Sequence, residues 1–168
     1  MPLKAPWDES YGDERINIIA NQVLACRVPL DPDKYKADGW TLNAMLAKAR
    51  SMLSPVPKKL LVLNLSATDK YYAPLDDKNV EFAHMLLRGR TVPSEQDVAV
   101  FIQEMDSAIA EGKGVIVHCT HGLNRTGYML CKWLMHSKGW TANQALEYFA
   151  VVRPPGIMRD NIRDGLLR

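Results

Sequence analysis

No apolar run in this chain is long enough to span a bilayer, and no charged-then-apolar leader opens it. Both absences predict a soluble protein with no membrane attachment and no secretory address. Cysteine is scarce: three thiols, at 26, 119 and 131, an odd number with no pair at zinc-site spacing. That pattern argues against a disulfide framework and for a reducing compartment. A dominant charge is lacking too, since 21 Lys and Arg against 19 Asp and Glu leave only +2. Any affinity for nucleic acid must therefore come from local clusters of Lys and Arg. Internal repeats and low-complexity tracts are absent. What remains, 168 residues at 47% hydrophobic and 24% charged, reads as one globular domain over 1–168 with a proper core.

The most organised stretch is Gly114-Val115-Ile116-Val117-His118-Cys119-Thr120-His121-Gly122-Leu123-Asn124-Arg125-Thr126-Gly127. Its β-branched run predicts a buried strand, its glycines a tight loop, and the periodic residues that follow a helix over 127–138 closed by Gly139. A loop entering a helix this way converges its N–H groups on one point above the helix N-terminus, which makes an anion site. A Walker-type loop fails, because Tyr128-Met129 stand where Lys and Ser or Thr are required.

The residue types at this loop fit phosphate transfer. A thiol in water ionises near about pH 8.5, but one ringed by N–H donors, a helix N-terminus and an arginine is expected to be a thiolate at neutral pH. Cys119 is the candidate nucleophile. Arg125 can grip two non-bridging phosphoryl oxygens as they become equatorial, which a lysine point charge does less well. Thr126 offers its hydroxyl to the Cys119 sulfur. Thr120, His121, Gly122, Leu123 and Asn124 complete the cradle, Gly122 through close backbone approach or positive φ, while His118 and Asn124 hold its shape through side-chain hydrogen bonds. The bland alternative, an inert buried cysteine after a core strand, leaves Arg125 and Thr126 unexplained.

The remaining chain supplies alternating strands and helices. Residues 1–13 read as an extended arm that Trp7 pins down. Arg15–Ile19 and Gln22–Val28 read as strands, and apolar residues at 42, 45, 46, 49, 52 and 53 mark a helix from Thr41 that stops before Pro55. Leu60–Leu65 reads as a central buried strand and Val80–Leu87 as another. Ser94 opens a helix with a capping-box pattern to Asp97, Thr141 with Gln144 caps the next, and a short helix holding Ile162, Leu166 and Leu167 ends the chain. This alternation predicts a three-layer α/β architecture.

His118 to Gly127 resembles the loop of the cysteine phosphatase superfamily. The fuller His-Cys-Thr-His-Gly-Leu-Asn-Arg-Thr-Gly-Tyr is similar to its RNA 5′-triphosphatase branch, which includes the triphosphatase domain of mRNA capping enzymes and baculovirus-type RNA phosphatases. Arg27-Val28-Pro29-Leu30, Leu63-Asn64-Leu65 leading to Lys70-Tyr71-Tyr72, and Arg153-Pro154-Pro155-Gly156-Ile157 agree with it. The resemblance implies a central mixed sheet of about five strands flanked by helices. It also implies a phosphocysteine intermediate, no cofactor and no metal. From it come the remaining expectations: 5′-triphosphate RNA as substrate, a guanylyltransferase domain or other capping partner, and residence in the nucleus. Lys36-Ala37-Asp38-Gly39 has the form used by nucleotidyltransferases but reads as a turn, because this chain has no room for that larger domain.

Protein phosphatases of the superfamily carry an aspartate on a loop upstream of the cysteine, which protonates the departing oxygen. The matching segment here is Arg88-Gly89-Arg90-Thr91-Val92-Pro93, with two arginines and no acid. A phenolate leaving group, with a conjugate acid near about pKa 10, gains much from a proton donor, whereas a phosphate oxygen with a pKa of about 6 can depart unprotonated. The absence favours a phosphoanhydride substrate over a dual-specificity protein phosphatase acting on phosphotyrosine. Arg88 and Arg90 are candidates for the additional phosphates, against a plain solvated turn. Lys70 is a candidate for the outer phosphates, and Tyr71 or Tyr72 either sets the pocket's depth or simply packs the loop down. Arg153 either approaches the phosphate or buttresses the loop. Asp69, Asp76, Asp77, Glu95 and Asp97 stand as alternative acids. Asn64-Leu65-Ser66 departs from the Asp-Leu-Thr common in the resembling proteins, which leaves no charge at position 64.

Overall fold

Continuous apolar runs become the innermost strands of a single mixed sheet. The computed structural model describes residues 1–7, 15–36 and 39–168. Its elements run β1 (Ile16–Ala20), β2 (Val23–Cys26), α1 (Leu42–Met52), β3 (Leu60–Asn64), β4 (Val80–His84), α2 (Glu95–Ala110), β5 (Gly114–His118), α3 (Asn124–Lys138), α4 (Ala142–Val152) and α5 (Asp160–Leu167). Every residue of β3 and β5 is buried, as expected for strands covered on both faces.

The strand order is β1-β2-β5-β3-β4. β1 pairs antiparallel with β2, and the other pairings are parallel. The C-terminal ends of β2, β5, β3 and β4 therefore share one edge, and the loop after β5 emerges there between β2 and β3. Alternation along β5 divides the core. Val115 and Val117 pack with Phe101, Met105, Leu130, Phe149 and Ile162 from α2 to α5, while Ile116 packs on the other face with Leu24, Met45, Leu46 and Val62. Helices on both faces of one sheet make the expected three-layer α/β fold.

Element boundaries differ from those expected where tertiary backbone contacts override local propensity. β2 ends at Cys26, not Val28, because the Val28 N–H leaves the ladder to donate to Thr120 O at 3.0 Å. β4 stops at His84, where its partner β3 runs out and Met85 N–H takes the last carbonyl, Asn64 O, at 2.9 Å. α3 begins at Asn124, three residues before the expected start, so Arg125 and Thr126 lie inside its first turn. The caps follow the sequence: Thr41, Ser94 and Thr141 each accept an N–H with their side chains, and Thr141 with Gln144 closes a full capping box.

Trp7 is only 6% exposed, and the Arg27 guanidinium lies 4.2 Å from its ring centroid, so the arm is pinned there. Residues 8–13 of the arm, and Ala37-Asp38 of the Lys36–Gly39 turn, lie outside the described residues. Among the described residues no helix is long and apolar enough to cross a membrane.

Candidate active site

The loop after β5 is held from behind by its carbonyls. Cys119 O lies 3.2 Å from His118 Nδ1, and Thr120 O accepts from Val28 N–H at 3.0 Å. His121 O and Gly122 O accept from Arg153 Nη2 and Nε, each at 2.8 Å. A trans peptide sets each C=O opposite the next residue's N–H. Four carbonyls drawn toward the interior thus turn the N–H groups of Thr120, His121, Gly122 and Leu123 the other way, toward the pocket above the Cys119 sulfur. α3 adds its own first-turn N–H groups, because its N-cap Leu123 makes no side-chain capping bond. Gly122 is required twice over: its φ is +73°, and a Cβ there would stand 2.1 Å from Cys26 O.

Cys119 lies at the floor of this cradle, 3% exposed. Burial pushes its thiol up, but the Arg125 guanidinium, the Thr126 hydroxyl and the Thr126 and Gly122 N–H groups outweigh it, and the net shift is below the ordinary thiol range. Thr126 Oγ1 is buried without a hydrogen-bond partner of its own among the described residues. That orphaned donor is accounted for once the sulfur is an anion able to accept from it. Arg125 is aimed by two neutral acceptors, Leu87 O at 3.1 Å and Thr120 Oγ1 at 3.2 Å. Among the described residues no carboxylate bridges it, so its charge is available to a substrate.

A cavity of about 190 Å³ opens above the sulfur, lined by Gly89, Arg90, Cys119, Thr120, His121, Asn124, Arg125 and Arg159. The expected residues Thr120, His121, Asn124, Arg125 and Arg90 thus meet around Cys119, with Gly122, Leu123 and Thr126 contributing from the loop and helix start. Arg88 is exposed outside this lining. Lys70 is also outside it, its ammonium 5.5 Å from the Tyr71 ring centroid. Arg153 takes the buttressing alternative: it is 2% exposed behind the loop, with a third bond from Nη1 to Asn17 Oδ1 at 2.7 Å. Asp69, Asp76, Asp77, Glu95 and Asp97 are all absent from the lining.

Neither tyrosine sets the pocket's depth. Tyr71 packs on Tyr35 with ring centroids 5.7 Å apart, and Tyr72 bonds His118 from behind. Asn64 supplies an oxygen where only an oxygen is needed: its Oδ1 accepts Ser66 N–H at 2.8 Å, which turns the chain out of β3 without a charge. Asn124 works outward rather than within the loop, its Oδ1 accepting the Met158 and Arg159 N–H groups at 2.9 Å each. This pair of bonds carries Arg159 to the pocket. Sequence reading missed Arg159, whose one local signal is its place at the start of α5 just after the Pro154-Pro155-Gly156 turn. Arg90, at φ +63°, has its carbonyl held by Asn161 Nδ2 at 2.9 Å, so α5 supports both of these arginines.

Comparison with known proteins agrees with this geometry. The model of the dual specificity phosphatase catalytic domain matches residues 47–167. A tyrosine-protein phosphatase of Autographa californica nuclear polyhedrosis virus is 31% identical over 160 residues, which cover 89% of this chain and 91% of the viral protein. The mRNA-capping enzyme of Danio rerio is 30% identical over 128 residues, 70% of this chain but only 21% of that enzyme. Among solved structures, Tk-PTP in its active form matches with a TM-score of 0.68 at 22% identity, over 90% of this chain and 92% of its own.

Proposed function

This chain belongs to the dual specificity phosphatase family, and on that premise we propose that it is a metal-independent RNA 5′-triphosphatase. One observation carries the reading: the pocket is lined by Arg90, Arg125 and Arg159 and, among the described residues, by no carboxylate. Three guanidinium groups match a chain of phosphates, and the missing acid restricts the leaving group to one that departs as a weak base. The Cys119 sulfur attacks the γ-phosphorus, the β–γ bridging P–O bond breaks, and diphosphate-ended RNA leaves with the bonding electrons. Water then attacks the phosphocysteine, the S–P bond breaks, and inorganic phosphate leaves with the thiolate restored. Arg125 and the loop N–H groups meet the equatorial oxygens in both steps.

The similarity to a protein named mRNA-capping enzyme supports this substrate class and a nuclear site of action, and a guanylyltransferase domain or other capping partner belongs to the same proposal. Among the described residues no group of three or more His, Cys, Asp and Glu is placed to hold a metal ion, and metal independence is tested by chelator. The competing reading, a protein phosphatase, is favoured by the viral relative's name. Phosphate release from triphosphate-ended RNA and from a phosphotyrosine peptide, each with chelator, separates the two. The RNA is expected to turn over faster by about a hundredfold or more, the scale of a missing general acid. Faster turnover of the peptide, or loss of RNA activity in chelator, would overturn the proposal.

A further inference from the structure

We propose that Tyr72 is a positioning residue for the nucleophile, acting through His118. Tyr72 lies in the crossover loop between β3 and β4, with its ring 6.5 Å from Phe82 and 5.5 Å from His118 by centroids. Its Oη is 2.7 Å from His118 Nε2, while His118 Nδ1 faces Cys119 O at 3.2 Å. His118 is fully buried.

The tautomer follows from what each partner can do. A backbone carbonyl only accepts, so Nδ1 must carry the hydrogen and donate it to Cys119 O. A neutral imidazole then has a lone pair on Nε2, and the Tyr72 hydroxyl donates to it. Burial supports the neutral ring by pushing its pKa down to about 4. The order of donation is Tyr72 Oη–H to His118 Nε2, then His118 Nδ1–H to Cys119 O. This last bond draws the Cys119 carbonyl inward and so turns the Thr120 N–H toward the phosphate pocket. The hydroxyl thereby selects the tautomer that sets the first peptide of the cradle.

Tyr72→Phe removes only the hydroxyl and keeps the ring packing. His118 Nε2 becomes a buried acceptor without a donor, and the ring is free to move its hydrogen there. The Nδ1 lone pair would then face the Cys119 carbonyl, and the peptide would lose its anchor. The expected result is a kcat about tenfold lower with KM within about twofold. The pH for half-maximal alkylation of Cys119 by iodoacetamide should rise by about half a unit or more.

The decisive background is His118→Asn. A carboxamide nitrogen near the Nδ1 position always carries hydrogens, so it donates to Cys119 O whatever Tyr72 does. Tyr72→Phe should then change the alkylation profile little in His118→Asn and clearly in the parent chain. An unchanged profile in the parent chain would overturn the proposal, and so would an equal shift in both backgrounds. Alkylation reads the thiolate without any substrate, so failure here leaves the RNA reading untouched.

Discussion

Cys119 at the end of β5 and Cys131 in the body of α3 are both buried, 3% and 0% exposed, yet their thiols move in opposite directions. Burial alone acts on Cys131 and pushes it up to about 12. Burial acts on Cys119 as well, but a guanidinium, a hydroxyl and backbone N–H groups reverse it. Cys26 sharpens the point, because it ends the strand beside β5 and still rises to about 12, the Arg153 charge offsetting its burial only in part. What sets the Cys119 thiol apart is therefore the Arg125 guanidinium first, then the Thr126 hydroxyl and the N–H groups at the sulfur, and neither exposure nor closeness to the loop does the same.

The comparison breaks first at the sulfur itself. Cys119→Ser should lower phosphate release by at least about a thousandfold, whereas Cys131→Ala should keep the rate within about threefold. Arg125→Lys keeps the charge and loses the fork that Leu87 O and Thr120 Oγ1 aim, so kcat should fall by about a hundredfold and alkylation of Cys119 should need a higher pH. Gly122→Ala must place a Cβ against Cys26 O at positive φ, and denaturant unfolding should show a loss of about 3 kcal/mol.

The smallest effect is one of pH. His118 binds a proton near pH 4 when folded and near 6.5 when unfolded, so between those values the unfolded chain holds more protons. Stability is complete above 6.5 and is lost as pH falls toward 4, by about 2 kcal/mol between pH 7 and pH 5. Chemical unfolding across that range checks the sign, and the slope should vanish in His118→Asn.

What was legible in the chain was what is local in it. β5, its loop and the start of α3 are contiguous, so strand pattern, glycine spacing and the order of Cys119, Arg125 and Thr126 pointed to the candidate nucleophile and the loop that surrounds it. The buttresses arrive from afar: Tyr72 meets His118 across 46 positions and Arg153 meets Gly122 across 31. No periodicity encodes such pairings, which is why Arg153 stayed open between two roles and Tyr72 between pocket depth and loop packing. Arg159 escaped because it reaches the pocket through the Asn124 side chain, 35 positions away, and not through a motif of its own. The early start of α3 has the same origin, since tertiary bonds to the loop carbonyls order residues whose propensity alone would leave them in the turn.

The front and back of the loop divide the labour. Behind it, His118, Arg153 and Val28 set where the N–H groups point; in front, Arg90, Arg125 and Arg159 meet charge, with no proton donor among them. A series of aryl phosphates with leaving-group pKa values from about 6 to about 10 reads that missing donor. The rate of phosphocysteine formation should fall by about a hundredfold or more across the series, because among the described residues no acid lines the pocket to protonate the departing oxygen. A rate that stays level from the weakest base to the strongest would mean that an acid reaches the pocket, and would contradict the account.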